Sequence, residues 1–277
     1  MLGAHVLRFP IDPSDMKPLG KTGEKIPAIG IGTWAIRNYG RAEEALVRAV
    51  ELGLNMIDTA EMYDSGKAEE LVGKVVRSVG RDRVFITTKL LPKHFSNPDN
   101  AIRAAQASLR RLGIRTVDLI LIHWPKFLTP IERQVEALEA IAEAGYARYI
   151  GVSNFDAKKM VRAIYAARKH DIVVNQVKYS ALDKAVEGSL LPHAIKHGVT
   201  IQAYTPLEKG AVAKNKALAR IGVKYNKTPV QVALNYLISR PRVVAIPKTE
   251  RKERVDEFKG AIGWRLQEED IKLIEMI

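Results

Sequence analysis

Four side chains in this sequence have the types and spacing for shared acid–base chemistry: a carboxylate at Asp58, a phenol at Tyr63, an amine at Lys89 and an imidazole at His123. They lie in NMIDTAEMYD, VFITTKL and VDLILIHW. The first stretch packs Met56 and Ile57, then places Asp58, Glu61, Tyr63 and Asp64 within seven positions. Lys89 follows FITT directly and precedes Leu90 and Leu91, so its ammonium emerges among apolar neighbours and requires a partner there. Asp58 has the right charge. Tyr63, five residues beyond Asp58, can reach back over such a pair. A nearby cation stabilises phenolate, so the Tyr63 pKa is expected to come down from about 10 towards working pH. His123, beside Trp124, offers a second donor able to orient a carbonyl oxygen or share its developing charge.

Positioning these groups falls to an alternation of apolar runs and amphipathic segments. The eight apolar runs are GIGTW (30–34), NMIDTA (55–60), VFITTKL (84–90), VDLILIHW (117–124), YIGVSN (149–154), VVNQVKY (173–179), TIQAYTPL (200–207) and VVAIPK (243–248). RAEEALVRAVEL, NAIRAAQASLRRL, ERQVEALEAIAEA and KKMVRAIYAARKH between them repeat apolar positions at three and four, which predicts helices. Continuous apolar runs suit strands buried on both faces, as in helix-covered parallel sheets. Eight such units predict an α/β fold, a closed (β/α)8 TIM barrel, with an N-terminal β-hairpin at MKPLGKTGEKIPAIG. One domain over residues 1–277 is expected.

In such a barrel the active site lies at the carboxyl ends of the strands. Asp58, Lys89, His123, Ser153 with Asn154, Gln176, Tyr204 and Lys248 each close their run. Polar residues also end ordinary strands at a surface, but such ends do not favour chemically capable types so uniformly.

Composition narrows the classes. The chain has 277 residues, 47% hydrophobic and 27% charged, with no cysteine, which excludes disulfides, thiolate catalysis and Cys-ligated metal. No HExxH pattern occurs, and no metal is expected. The net charge of +13 raises nucleic acid as a partner, yet the basic residues alternate with Glu along helical patterns and lack aromatic interleaving. No nucleic-acid or membrane partner is expected, since no apolar run approaches the roughly 20 residues of a span. MLGAHVLRFPIDPSD lacks the basic start and apolar centre of a secretory signal, which predicts a cytoplasmic location.

DTAEMYDSGKAEELVG, ITTKL and LIHWP, followed by SNF, NQVKY, AYTPL and IPKT, together resemble the aldo-keto reductases, in the same order over nearly the whole chain. The likeness is to prokaryotic members with short substrate loops. It implies Asp58, Tyr63, Lys89 and His123 as the catalytic tetrad of an NADPH-dependent reductase of aldehydes and ketones, reversible and monomeric. It implies NADP(H) contacts at Gly32, Thr33, Trp34, Asp58, Ser153, Asn154, Gln176, Tyr204, Pro206, Leu207, Pro247, Lys248, Thr249, Arg254 and Glu257. Trp34, Tyr63, His123, Trp124 and Phe155 would wall the substrate pocket. GIG at 30–32 lacks the third glycine of a dinucleotide fingerprint.

Two departures stand out. PKFLTPIERQ leads quickly into a helix and the sequence closes on EEDIKLIEMI, which predicts an open mouth and broad substrate range. Phe258 stands where relatives often carry Asn near the adenine. Lys248, Thr249 and Arg254 resemble a 2′-phosphate site tempered by Glu250 and Glu253. Two rival readings are an aldolase-like barrel with Lys89 as Schiff-base nucleophile, and a regulatory subunit that senses the coenzyme without turnover.

Overall fold

The structure, a computed structural model, describes residues 7–277. The first six residues, part of the stretch read for a secretory signal, lie outside it.

The hairpin forms as expected from β1 (Met16–Pro18) and β2 (Lys25–Pro27), paired antiparallel around a turn in which Gly20 has φ +54°. Eight parallel strands follow: β3 (Ile31–Gly32), β4 (Met56–Asp58), β5 (Phe85–Leu90), β6 (Val117–Ile122), β7 (Ala147–Ser153), β8 (Ile172–Lys178), β9 (Thr200–Tyr204) and β10 (Val243–Ala245). Each pairs with the next. Bridges Ile29–Ala245 and Gly32–Lys248, with Gly32 N donating to Pro247 O at 2.9 Å, join β3 to β10 and close the barrel. Glycine is required at position 30 because a Cβ there would lie 2.4 Å from Met56 O. The GIG run therefore serves close strand approach.

Helices cover the outside. These are α1 (Tyr39–Glu51), α2 (Lys67–Val79), α3 (Pro98–Leu112), α4 (Ile131–Glu143), α5 (Ala157–Ala166), α6 (Leu190–His197), α7 (Lys216–Tyr225), α8 (Pro229–Ile238), α9 (Lys252–Lys259) and α10 (Glu268–Glu275). Asn38, Asn97, Asp156, Asn215 and Thr228 cap five of them, each accepting from a backbone N–H three residues on. One helical expectation is too long: α5 ends at Ala166, although the KKMVRAIYAARKH pattern predicts continuation. The buried carboxylate of Glu139 on α4 accepts from the backbone N–H groups of Arg168, Lys169 and His170 at 2.9, 2.6 and 3.0 Å. That alternative satisfaction of three donors ends the helix.

Because side chains alternate along a strand, every second residue faces the barrel interior, and the interior changes character along its axis. Its lower part is apolar, with Met56, Leu119, Leu121, Val174, Val244 and Ile246. Leu19 and Ile26 of the hairpin join this cluster and floor the barrel. Two residues further along each strand the types become polar: Asp58 beyond Met56, His123 beyond Leu121, Gln176 beyond Val174 and Lys248 beyond Ile246. Among the described residues no helix is long and apolar enough to cross a membrane.

Candidate active site

The ends of β4 and β5 bring Asp58 and Lys89 together. Lys89 Nζ donates to Asp58 Oδ1 at 2.7 Å, Asp58 Oδ2 at 2.8 Å and Thr59 O at 2.7 Å, with both residues buried. An ammonium has three protons, so its donors are spent on these acceptors. Gln176 Nε2 donates to Asp58 Oδ1 at 2.6 Å and approaches Gln202 Oε1 at 2.5 Å. Burial pushes the Asp58 carboxyl up and the Lys89 amine down, each opposed by the partner's charge and hydrogen bonds.

Tyr63 lies over this pair, with Lys89 Nζ 4.8 Å from the centre of its ring. Here the structure corrects an expectation: the Tyr63 pKa is raised, not lowered. Burial is the largest cause and the negative charge of Asp58 adds to it, while the hydrogen bonds of Lys89 go to Asp58 and Thr59 and none to the Tyr63 hydroxyl. His123 meets Tyr63 edge-on at 5.8 Å and 74° and stacks on Trp124 at 3.9 Å. Burial, then repulsion by Lys89, lowers its pKa to about 3, so the imidazole is neutral at working pH. Its Nδ1 is buried with no hydrogen-bond partner.

The remaining acids of NMIDTAEMYD have structural partners. Glu61 accepts from Leu91 N and faces His94 Nε2 at 3.1 Å, and Asp64 accepts from the Tyr39 hydroxyl at 2.6 Å. Tyr63 therefore sits in a loop tied down on both sides of it.

A second network adjoins the first. Ser153 Oγ donates to Gln176 O at 2.8 Å; Asn154 Nδ2 donates to His123 O at 3.0 Å and Ser153 Oγ at 3.1 Å; the Tyr204 hydroxyl donates to Asn154 Oδ1 at 2.9 Å. Asn154 holds a left-handed backbone, φ 61°, at the strand-to-helix turn. Thr33 Oγ1 donates to Asp58 O at 2.9 Å, which fixes the residue before Trp34 to the same pair. Trp34 is half exposed, and Lys209 Nζ lies 5.7 Å above its ring.

Further around the mouth, Lys248 Nζ donates to Ala35 O at 2.9 Å and to Glu250 Oε1 at 2.5 Å. Thr249 is buried and its hydroxyl accepts from Arg251 N at 3.1 Å. Arg254 pairs with Glu257, whose other oxygen accepts from the Thr228 hydroxyl at 2.7 Å. Gly32, Pro206, Leu207 and Pro247 border the same strand ends.

One expected position falls elsewhere. Phe155 is 1% exposed in the layer between sheet and helices and does not wall the mouth. Phe258, the departure noted near the adenine, is equally buried in that layer, on the same helix α9 as Arg254 and Glu257. Gln202 was not anticipated, although it lies two residues before Tyr204 on β9 and period-two alternation puts both on the interior face. Among the described residues no group of His, Cys, Asp or Glu could hold a metal ion.

A nicotinamide coenzyme fits this donor set. Gln176 Oε1 has no hydrogen bond in the structure and Asn154 Oδ1 retains a lone pair, as a carboxamide NH₂ requires; the half-buried Tyr204 offers a ring face, and Lys248 and Arg254 offer cations.

Fold and mouth together define an α/β barrel with a cluster of ionisable groups at its strand ends. Residues 28–277 match the Aldo/keto reductase family model, and the chain belongs to that family. It is 33% identical over 259 residues to methylglyoxal reductase YeaE of Escherichia coli K12, covering 90% of both chains. Its fold is similar to the thermostable aldo-keto reductase Tm1743 in complex with the inhibitor epalrestat, at TM-score 0.87 and 39% identity, covering 94% of this chain and 98% of that one. It is also similar to an aldo/keto reductase from Klebsiella pneumoniae solved with NADP and acetate, at TM-score 0.87 and 31% identity, covering 95% of each.

Proposed function

We propose that the protein reduces small aldehydes and ketones to alcohols, reversibly, with NADPH as coenzyme and Tyr63 as proton donor. The observation that carries this reading is the convergence of Tyr63, a buried Lys89–Asp58 pair and a neutral His123 at one mouth. The coenzyme, when bound, supplies the hydride that reaches the carbonyl carbon. Tyr63 gives its phenolic proton to the carbonyl oxygen. Burial keeps that phenol protonated before the step, and Lys89 beside the ring stabilises the phenolate left after it.

His123 donates an N–H to the same oxygen. With the proton on Nε2, the buried Nδ1 is an unpaired acceptor, a smaller cost than an unpaired donor. Asp58 positions Lys89, and Gln176 positions Asp58. Ser153, Asn154 and Gln176 would hold the carboxamide and Tyr204 would stack on the ring. Gly32, Thr33, Trp34, Pro206, Leu207, Pro247, Lys248, Thr249, Arg254 and Glu257 would border the rest of the coenzyme. A Schiff-base role for Lys89 is disfavoured by its burial and its three occupied donors.

Methylglyoxal, in the name of the Escherichia coli relative, is the first compound to test. The rim is apolar and open: Trp34, Trp124, Phe127 and Leu128 are 52%, 39%, 97% and 86% exposed. Broad acceptance with weak binding is expected, since enclosure supplies much of a small ligand's affinity. The test is a panel of small and aromatic aldehydes and ketones followed by NADPH absorbance, with the alcohol product identified. Turnover of several supports the reading; NADPH binding with no turnover of any carbonyl refutes it.

A further inference from the structure

We infer that Glu250 sets how strongly the protein distinguishes NADPH from NADH, by neutralising the lysine nearest the expected 2′-phosphate. The inference rests on the coenzyme assignment proposed above.

The two coenzymes differ only in a phosphate or a hydroxyl at the ribose 2′ position. Lys248 is not at leisure to meet that phosphate, because two of its three protons go to Glu250 Oε1 and Ala35 O. Glu250 cannot swing aside. Its Oε1 accepts from Arg37 N at 3.0 Å and its Oε2 from Asn38 N at 2.9 Å, which fastens the loop between β3 and α1 to the exit of β10. Burial alone would raise this carboxyl, but the bonds from Lys248, Arg37 and Asn38 outweigh it and keep Glu250 ionised. A phosphate monoester carrying between one and two negative charges therefore arrives beside a fixed carboxylate. A ribose hydroxyl arriving there can donate to that carboxylate instead.

Arg254 differs from Lys248 in this respect. Its contact with Glu257 uses Nη1, and a guanidinium has five N–H donors, so most of the fork stays available to a phosphate. Arg254 thus carries the preference for NADPH, and Glu250 narrows it. When Lys248 does turn to a phosphate, it gives up Ala35 O, one residue from Trp34.

The experiment measures dissociation constants of NADPH and NADH for the parent, E250Q and E250D by quenching of tryptophan fluorescence, without substrate. E250Q is expected to tighten NADPH about tenfold and to leave NADH within about twofold, equivalent to about 1.4 kcal/mol of discrimination. E250D keeps the charge and is expected to keep the parent ratio. NADH binding in each variant reports an intact site. An unchanged ratio in E250Q, or equal weakening of both coenzymes, overturns the inference and leaves Glu250 a loop fastener. A parent that binds neither coenzyme overturns the coenzyme assignment and this inference with it.

Discussion

At the scale of single residues, protonation states follow from burial more than from neighbours. The sequence made Asp58, Lys89 and His123 legible because each closes an apolar run, and Tyr63 because it follows Asp58 by five residues, and the structure brings the four together. The direction of the Tyr63 shift was not legible, since it depends on the depth of burial and on where Lys89 spends its hydrogen bonds, which go to Asp58 and Thr59. Phe155 shows the same limit, because neighbourhood in a motif does not fix the side of the chain on which a side chain emerges. A pH profile tests the assignment. His123, lowered to about 3, and Tyr63, raised above its ordinary value, do not titrate between pH 5 and 9. Neither group is expected to contribute an inflection to the reductive kcat/KM across that window. An inflection near the ordinary histidine value would contradict a neutral His123. Stability carries the opposite mark of the same shift. The unfolded chain takes a proton on this histidine below about pH 6.5 that the folded protein refuses until about 3, so acidification costs stability in that window.

At the scale of elements, continuous apolar runs located the eight strands, and three–four repeats located α1, α3, α4 and α5. They missed the end of α5 because Glu139 lies on a different helix, about thirty residues away in sequence, where no local pattern points to it. Strands β4 and β5 are joined above the apolar floor by the Asp58–Lys89 pair. Lys89→Met removes the cation and leaves a buried carboxylate without compensation, so a loss of about 3–5 kcal/mol in unfolding free energy is expected beside loss of reduction. A chemical denaturation curve superimposable on the parent's would show that the pair does not hold these strands. The hairpin is tested at Gly20, where a Cβ would stand 2.6 Å from Val173 Cβ at φ +54°. Gly20→Ala is expected to cost about 1–3 kcal/mol with NADPH affinity unchanged, and a parent-like melting temperature would remove the hairpin from the account of the barrel floor.

At the scale of the molecule, one layer of apolar residues runs between sheet and helices from Phe9 to Ile274, and the interior cluster lies inside it. We propose that residues 1–277 act as one cooperative domain. Calorimetry is expected to give a single unfolding transition that rises in temperature with NADPH, as ligand binding to the folded state alone requires. Two separated transitions, only one of them sensitive to NADPH, would contradict it. Eight strands were legible because each is a short apolar run with its own turn signals. Barrel closure was a matter of count and length, resting physically on backbone bonds between β3 and β10 that no side-chain pattern encodes.

The central claim is that Tyr63 delivers the proton. Its most direct test is Tyr63→Phe, with the rate of reduction at saturating NADPH and the NADPH dissociation constant measured on the same preparation. The ring and its contact with Lys89 remain while the donor is lost, so the rate is expected to fall by about 10²- to 10⁴-fold with coenzyme affinity unchanged. A rate within a few-fold of the parent's would contradict the account.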